Sequence, residues 1–211
     1  TTLGFSAKRS LPMWRRDAFK DSEATAGTAT KEVVLFVDTF SRYFEPDNAR
    51  AAVNVLQAAG YRVHLPSSNS ERPLCCGRTF LAEGLVDEAR AEARRMIQAL
   101  APFVDRNVAI VGLEPSCLFT LKDEFLAMLP REAQALAGRA MLFEEFLVAE
   151  HKAGRLSALK LKALPERKAL VHGHCHQKAF GAMGAVHAAL SLIPDLTVIP
   201  IESSCCGMAG A

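Results

Sequence analysis

The residues best suited to chemistry are six cysteines, four of which form two Cys-Cys-Gly tripeptides, at positions 75–77 and 205–207. Adjacent cysteines rarely bridge to each other, because a disulfide between neighbours requires a strained ring. In a turn that opens a helix both sulfurs can face one centre, and glycine permits the close approach or positive φ that this requires. Since a helix N-terminus favours thiolates, we expect lowered thiol pKa values, with Arg78 strengthening the effect. Such a soft, anionic pocket suits iron–sulfur clusters or zinc.

Each pair of cysteines has candidate companions at the ends of predicted strands. The first pair has Asp38 and the segment GLEPSC, in which Glu114 and Cys117 have Cys-x-x-Cys spacing with a carboxylate in the first place. The second pair, Cys205 and Cys206, has the segment HGHCHQK, with Cys175 among His172, His174 and His176. Because residues two apart on a strand share a face, the three histidines fall together if the strand extends that far. They would ligate a metal, donate to cluster sulfurs or move protons, unless they are ordinary core or surface histidines.

Short apolar runs alternate with helical patterns from Lys31 onward, which is typical of an α/β fold with mostly parallel sheets flanked by helices. The predicted strands are 33–37, 62–65, 108–113, 169–173 and 197–201. The predicted helices are 47–59, 85–100, 118–128, 140–152 and 178–192. Ligands of such folds bind at the carboxyl ends of the strands, which is where the cysteine segments fall.

The pattern strand, helix, strand, Cys-Cys-Gly occurs twice, and the two copies align Asp38 with Cys175 and the first cysteine pair with the second. We therefore expect two related half-domains, over residues 31–155 and 156–211. The second is incomplete, because its Cys-Cys-Gly is followed by only four residues, and the sequence resembles a fragment. Residues 1–30 lack sustained periodicity and are predicted to be a linker or docking arm, with Trp14 and Phe19 available for packing.

Composition narrows the classes of function. The 211 residues are 50% hydrophobic, which is enough for a sizeable core, and the formal charge of +2 gives no strong attraction to nucleic acid or acidic lipid. No apolar run is long enough to span a bilayer, and no secretory signal is present at the start, so we expect a cytoplasmic protein. Clustered cysteines in such a protein indicate metal or redox chemistry rather than a disulfide framework. Nucleotide-binding glycine motifs are absent.

The segments PLCCGRTF, EPSC, HGHCHQKAF and ESSCCGMAG resemble the CCG or cysteine-rich domain family. That family includes one subunit of heterodisulfide reductase, iron–sulfur subunits of glycolate oxidase and anaerobic glycerol-3-phosphate dehydrogenase, and lactate-utilisation proteins. The sequence is most similar to the C-terminal region of FAD-linked oxidases of the D-lactate or glycolate dehydrogenase type. The segment LPMWRRDAF is similar to the connector that precedes the cysteine-rich domain in such proteins.

The resemblance implies an electron-transfer domain of an oxidoreductase, which relays electrons from a flavin to a downstream acceptor. It implies an iron–sulfur cluster of the 4Fe-4S kind, or iron or zinc, at Asp38, Cys75, Cys76, Glu114 and Cys117, and at Cys175, Cys205 and Cys206. FAD would bind only in a domain outside this sequence. The implied partners are flavin-binding and ferredoxin-like domains of the same or a partner chain and an acceptor at the membrane, so the protein would be peripheral to its inner face.

Two other interpretations remain open. A zinc-stabilised module without redox activity would use the same ligands to hold partner domains together. A thiol enzyme acting on disulfides would use a reactive Cys75-Cys76 or Cys205-Cys206 pair.

Overall fold

The computed structural model describes residues 15–24, 29–67 and 72–203. The strands are β1 (Lys31–Phe36), β2 (Tyr61–His64), β3 (Ala109–Gly112), β4 (Ala140–Leu142), β5 (Lys168–Val171) and β6 (Thr197–Pro200). The helices are α1 (Thr39–Tyr43), α2 (Pro46–Ala58), α3 (Arg78–Ala82), α4 (Val86–Val104), α5 (Pro115–Lys122), α6 (Glu124–Met128), α7 (Gln134–Ala137), α8 (Phe143–Lys152), α9 (Cys175–Ala179) and α10 (Met183–Leu190), with a 3-10 turn at Asp21–Glu23. The predicted α/β class is confirmed.

Four of the strands form one parallel sheet, in the order β2-β1-β3-β4. The chain continues from β1 to β2, which pairs with one edge of β1, and then to β3, which pairs with the other edge of β1. The strand order therefore reverses between β1 and β3, and such a reversal opens a crevice at the carboxyl edge. The segments after β1, β2 and β3 all begin at that edge, and they carry Asp38, the first cysteine pair, and Glu114 with Cys117.

Alternation along β1 divides the core into two layers. Val33 and Leu35 face one layer, with apolar residues of α2 and α8, while Val34 and Phe36 face the other, with residues of α4 and α5. Both layers are buried, which explains why these strands are continuous apolar runs rather than alternating patterns. The site therefore rests on a rigid sheet covered on both sides.

The remaining strands, β5 and β6, form a separate parallel pair with the same element order as β1 and β2. Lys31 pairs with Tyr61 at the start of the first unit, and Lys168 pairs with Thr197 at the start of the second. In each unit a five-residue helix and then a longer crossover helix join the two strands. Counting from the paired lysines, Asp38 and Cys175 both come seven residues later, as the repeat in the sequence aligned them.

The segment before β1 packs on the first unit over its described part. The Phe19 side chain is buried in the layer formed with α2, and its backbone N–H donates to the carbonyl of Arg42 at 2.9 Å. The Arg15 N–H donates to the carbonyl of Tyr43 at 3.2 Å. The segment therefore lies against α1, whose N-terminus is at the site edge. Trp14 lies outside the described residues.

Four predicted helices differ from the structure. The predicted helix 140–152 begins as strand β4, because Ala140, Met141 and Leu142 pair with β3, and so short an apolar run does not distinguish strand from helix. The predicted helices 118–128 and 178–192 are each divided, into α5 with α6 and into α9 with α10, and both begin earlier than predicted. Helix α4 continues past its predicted end at Leu100 to Val104.

Across the described ranges, no helix combines the length and the apolar character needed to cross a membrane.

Candidate metal-sulfur site

Three cysteines meet at the carboxyl edge of the large sheet. Cys75 and Cys76 lie between β2 and α3, and Cys117 lies in the first turn of α5, after β3. The Cys76 thiol lies close enough to those of Cys75 and Cys117 to shift the pKa values of both. Cys76 is only 3% exposed and Cys117 9%, whereas Cys75 is half-buried. We call Cys75, Cys76 and Cys117 the thiol cluster.

Backbone geometry brings the adjacent cysteines together. Gly77 has φ of +77°, the left-handed conformation that glycine adopts most readily, and it caps α3. The Gly77 N–H donates to Cys75 Sγ at 3.4 Å. A Cβ atom at Gly77 would lie 3.1 Å from Glu92 Cβ and 3.2 Å from the carbonyl oxygen of Ala89. Because residue 77 is glycine, the turn can pack directly against α4.

This contact predicts a specific cost for Gly77→Ala. Positive φ alone costs an L-residue about 1–2 kcal/mol, and the crowding against α4 adds to that cost. Gly84→Ala is the matched control, because Gly84 has φ of +76° and nothing within 4 Å of its Cβ position. We expect Gly77→Ala to lower the free energy of unfolding, measured by urea denaturation, by clearly more than Gly84→Ala. Equal losses would contradict the close packing of the turn.

The two predicted carboxylate ligands both cap helices. Asp38, 2% exposed, caps α1: its Oδ1 accepts from the N–H groups of Phe40 at 2.8 Å and Ser41 at 3.0 Å, and its Oδ2 accepts from Ser41 Oγ at 2.6 Å. Glu114 caps α5: its Oε2 accepts from the Cys117 N–H at 2.6 Å and its Oε1 from Ser116 Oγ at 2.8 Å. Glu114 thus fixes the start of the helix that carries Cys117, while both carboxylates remain beside the thiol cluster.

The lowered thiol pKa values predicted from the sequence are wrong for this structure. The hydrogen bond to Cys76 and burial raise the pKa of Cys75, and the hydrogen bond to Cys117 raises the pKa of Cys76 to about 12. For Cys117, the hydrogen bond to Cys76 lowers the pKa, but burial and the charges of Glu114 and Asp38 outweigh it, and the net shift is upward.

The reason for this correction is that the thiols are crowded and buried, which disfavours a lone negative charge. The Arg78 guanidinium, expected to favour thiolates, instead pairs with Glu124 and donates to Thr120 Oγ1 at 3.3 Å. Reactive thiol catalysis needs an accessible thiolate, so these shifts argue against the thiol-enzyme interpretation at the first site.

Helix α9, which begins at Cys175, lies against α5. The rings of Phe119 and Phe180 stack with centroids 4.3 Å apart and an angle of 6° between their planes. His174 Nε2 lies 3.7 Å from Glu114 Oε1, and Gln177 donates to Glu144 of α8. The first cysteine of the second unit is therefore held beside the first unit's site.

The structure brings together two of the three predicted histidines. The rings of His174 and His176 stack with centroids 5.2 Å apart, and His174 Nδ1 accepts from the His176 N–H at 3.2 Å. Strand β5 ends at Val171, so the expected strand through all three histidines is not formed, and His172 is exposed. Burial, followed by the charges of Arg78 and His174, lowers the pKa of His176. Its Nδ1 atom is buried without a hydrogen-bond partner among the described residues.

The second cysteine pair, Cys205 and Cys206, lies outside the described residues. The four described cysteines, Cys75, Cys76, Cys117 and Cys175, form no disulfide with one another. Over the described ranges, no group of three or more His, Cys, Asp or Glu side chains is arranged to hold a metal ion. Asp38 and Glu114 already accept hydrogen bonds in this arrangement, and the three thiols lie beside one another as free cysteines. The remaining candidate ligands are the three cysteine sulfurs. Soft sulfur ligands suit zinc or iron–sulfur clusters better than metals that prefer hard oxygen ligands.

Three residues that the motifs did not indicate also support the site. Glu92 and Arg95 of α4 contact the segment that precedes the cysteine pair, and Phe180 stacks on α5. Glu92 lies on the same helix face as Ala89, Ala93 and Met96, which are fully buried. A charged residue within a buried apolar stripe is the one signal in the sequence that could have revealed it.

The fold is a parallel α/β sheet, and its cysteines cluster at the carboxyl edge, where the strand order reverses between β1 and β3. Residues 34–122, which contain the whole thiol cluster, match the family model of the cysteine-rich domain, CCG. This match confirms, over residues 34–122, the resemblance to that family drawn from the sequence.

Curated relatives match more of the chain. It is 27% identical over 213 residues to one subunit of the anaerobic glycerol-3-phosphate dehydrogenase of Escherichia coli K12, an alignment that covers 99% of this chain and 52% of the relative. It is 26% identical over 193 residues to lactate utilization protein A of Bacillus licheniformis, covering 85% of this chain and 73% of the relative. The protein of the same name from Bacillus cereus B4264 is 29% identical over 188 residues. The chain thus spans about half the length of the dehydrogenase subunit. No solved structure matches it.

Proposed function

We propose that this chain is the electron-transfer part of a flavin-linked dehydrogenase that oxidises a small 2-hydroxy acid such as lactate or glycolate. The observation that carries the proposal is the thiol cluster, three sulfurs from two separate loops gathered at the switch point of a parallel sheet. The names of the relatives support the redox setting, because one is a dehydrogenase subunit and the others are lactate utilization proteins.

The residues that would hold a metal-sulfur centre at the first site are Cys75, Cys76 and Cys117. Cys175, Cys205 and Cys206 would serve the second site, in a second half-domain over residues 156–211. An iron–sulfur cluster, of the 4Fe-4S kind in our proposal, supplies a group that gains and loses an electron with little change in structure. Zinc in the same ligands would give a structural module, which is the alternative that the experiment below separates.

The chain itself contributes burial, orientation and hydrogen bonds. Cys76 and Cys117 are shielded by the core, which excludes water from two of the three sulfurs. The backbone N–H group of Gly77 donates to the Cys75 sulfur, where it would stabilise negative charge. Glu114 fixes the first turn of α5 and thereby the position of Cys117.

The half-buried Cys75 marks the side on which electrons would enter or leave. It lines an open cleft of about 460 Å³ together with Tyr43, Leu74 and Phe80. The proposed donor is a flavin-binding domain, acting directly or through a ferredoxin-like domain of the same or a partner chain. The proposed acceptor is a membrane component reached from the inner face, which would make the protein peripheral to that membrane.

Metal analysis of the full-length gene product tests the proposal. Protein purified without oxygen should contain iron and acid-labile sulfide together, and it should show a visible absorption band that changes when dithionite is added. A paramagnetic resonance signal should appear or disappear in the same titration. Stoichiometric zinc with no spectral change on reduction would instead establish the structural module and overturn the proposal.

A further inference from the structure

Glu92 is a buried carboxylate behind the thiol cluster. It lies on α4 among residues that are fully buried, and only 2% of it is exposed. A buried charge is stable only when it is paired and hydrogen-bonded. Glu92 has two such partners, since its Oε1 pairs with Arg72 and its Oε2 accepts from Arg95 Nη1 at 2.6 Å.

Both arginines belong to the support of the cysteine pair. Arg72 itself begins the segment 72–77 that contains Cys75 and Cys76. Arg95 Nη2 donates to the carbonyl oxygen of Arg72 at 2.8 Å and to that of Pro73 at 3.5 Å. The guanidinium of Arg95 therefore links the Glu92 carboxylate to the backbone just before the cysteines.

The other end of the same segment also rests on Glu92. A Cβ atom at Gly77 would lie 3.1 Å from Glu92 Cβ, so the turn after the cysteines is in close contact with this side chain. Segment 72–77 is thus fixed on α4 at its start by charge and at its end by packing, and Cys75 and Cys76 lie between these two contacts.

We propose that Glu92 is a positioning residue of the cysteine site, acting through Arg72 and Arg95 to hold the Cys75 and Cys76 sulfurs in place. That this placement serves a metal-sulfur centre rests on the function proposed above. The placement itself is a property of the chain, and it can be measured in metal-free protein.

Alkylation of individual cysteines by iodoacetamide, followed by mass spectrometry, tests the proposal in the reduced, metal-free, full-length protein. Cys75 is half-buried beside an open cleft, so a small reagent reaches its sulfur fully only when segment 72–77 opens locally. In Glu92→Gln we expect Cys75 to react roughly tenfold faster. Loss of a charge-assisted hydrogen bond that holds segment 72–77 on α4 should raise the population of the locally open state by about that factor. Backbone amides of residues 74–77 should exchange with deuterium faster by a similar factor.

Glu150→Gln is the matched control. Glu150 is also a buried glutamate on a helix, 8% exposed, and it is paired through both oxygens with Arg155 after α8. We expect the two variants to lose comparable free energy of unfolding, with Cys75 alkylation and exchange at 74–77 unchanged in Glu150→Gln. Equal effects of both variants on Cys75 would overturn the proposal, because Glu92 would then contribute only to general stability.

Arg95→Lys serves if Glu92→Gln does not fold. It keeps a cation near Glu92 but lacks the planar pair of donors that reaches both the carboxylate and the two carbonyls. We expect Cys75 to react several-fold faster in Arg95→Lys, an effect set by the loss of one or two hydrogen bonds. Unchanged alkylation in Arg95→Lys would overturn the proposed link. Either result stands whether or not the full-length protein contains iron.

Discussion

We expect replacing Cys76 with serine to remove most of the iron that the proposed first site would hold, because Cys76 is the central member of the thiol cluster. Its thiol lies beside those of Cys117 and Cys75, so it connects the two segments that supply sulfur. Serine keeps the size of the side chain but replaces a soft donor with a hard, weakly acidic one, which iron–sulfur centres do not favour. We expect bound iron to fall by roughly tenfold or more, since metal and folding are coupled through the ligands.

The control for this prediction is Ala93→Ser. Ala93 is fully buried in the same core cluster as Cys76, so it tests the cost of adding a hydroxyl group to that core. An unpaired buried hydroxyl costs about 1–3 kcal/mol, and both variants should lose free energy of unfolding in this range. Only Cys76→Ser should lose iron and the visible band. Retention of iron in Cys76→Ser would show that Cys76 is a core residue rather than a ligand.

Removing the Asp38 carboxylate will produce the second large effect, on stability. Its two oxygens accept three hydrogen bonds at the start of α1, and it is almost completely buried. Asp38→Ala leaves these donors without partners, and we expect the free energy of unfolding to fall by about 2–4 kcal/mol. Urea denaturation followed by circular dichroism measures the loss.

Asp38→Asn separates capping from metal ligation. Asparagine caps helices as well as aspartate does, and its carbonyl oxygen can accept from the same N–H groups. We therefore expect Asp38→Asn to recover most of the stability and to retain iron when the full-length protein is prepared without oxygen. Loss of iron with stability preserved would show that Asp38 is a ligand, as its alignment with Cys175 in the sequence repeat predicted.

The repeat and the cysteine spacing were sufficient to predict the arrangement of the first site. Short buried runs after Lys31 predicted a parallel sheet, and the carboxyl ends of its strands carry Asp38, Cys75, Cys76 and Cys117, as the topology of such sheets requires. Lys31 and Lys168 each begin a parallel strand pair, and Asp38 and Cys175 both lie seven residues after these lysines, as the repeat in the sequence aligned them.

Features that depend on contacts between distant segments were not predictable. Strand β4 is three residues long and exists because β3 offers an open edge, which no local pattern indicates. The thiol pKa values rise because two loops, some forty residues apart, bury their sulfurs against one another. The contacts of Glu92 and Arg95 with segment 72–77 likewise depend on α4 packing against the turn that contains the cysteines.

The histidine segment shows how a local rule fails at the end of an element. Residues 172, 174 and 176 would share a face on a strand, but the chain turns at Gly173, where a Cβ atom would collide with the side chain of Met183. His174 then caps α9, and only His174 and His176 remain together. The end of β5 at Val171 and the start of α9 therefore set the positions of the histidines, which an alternating strand pattern does not describe.

X-ray absorption at the iron edge, recorded on the full-length protein prepared without oxygen, tests the central claim most directly. We expect a first shell composed of sulfur with iron neighbours in the next shell, and the loss of iron bound at the first site in Cys76→Ser. A first shell of nitrogen and oxygen, or a protein that contains no iron, would contradict the account.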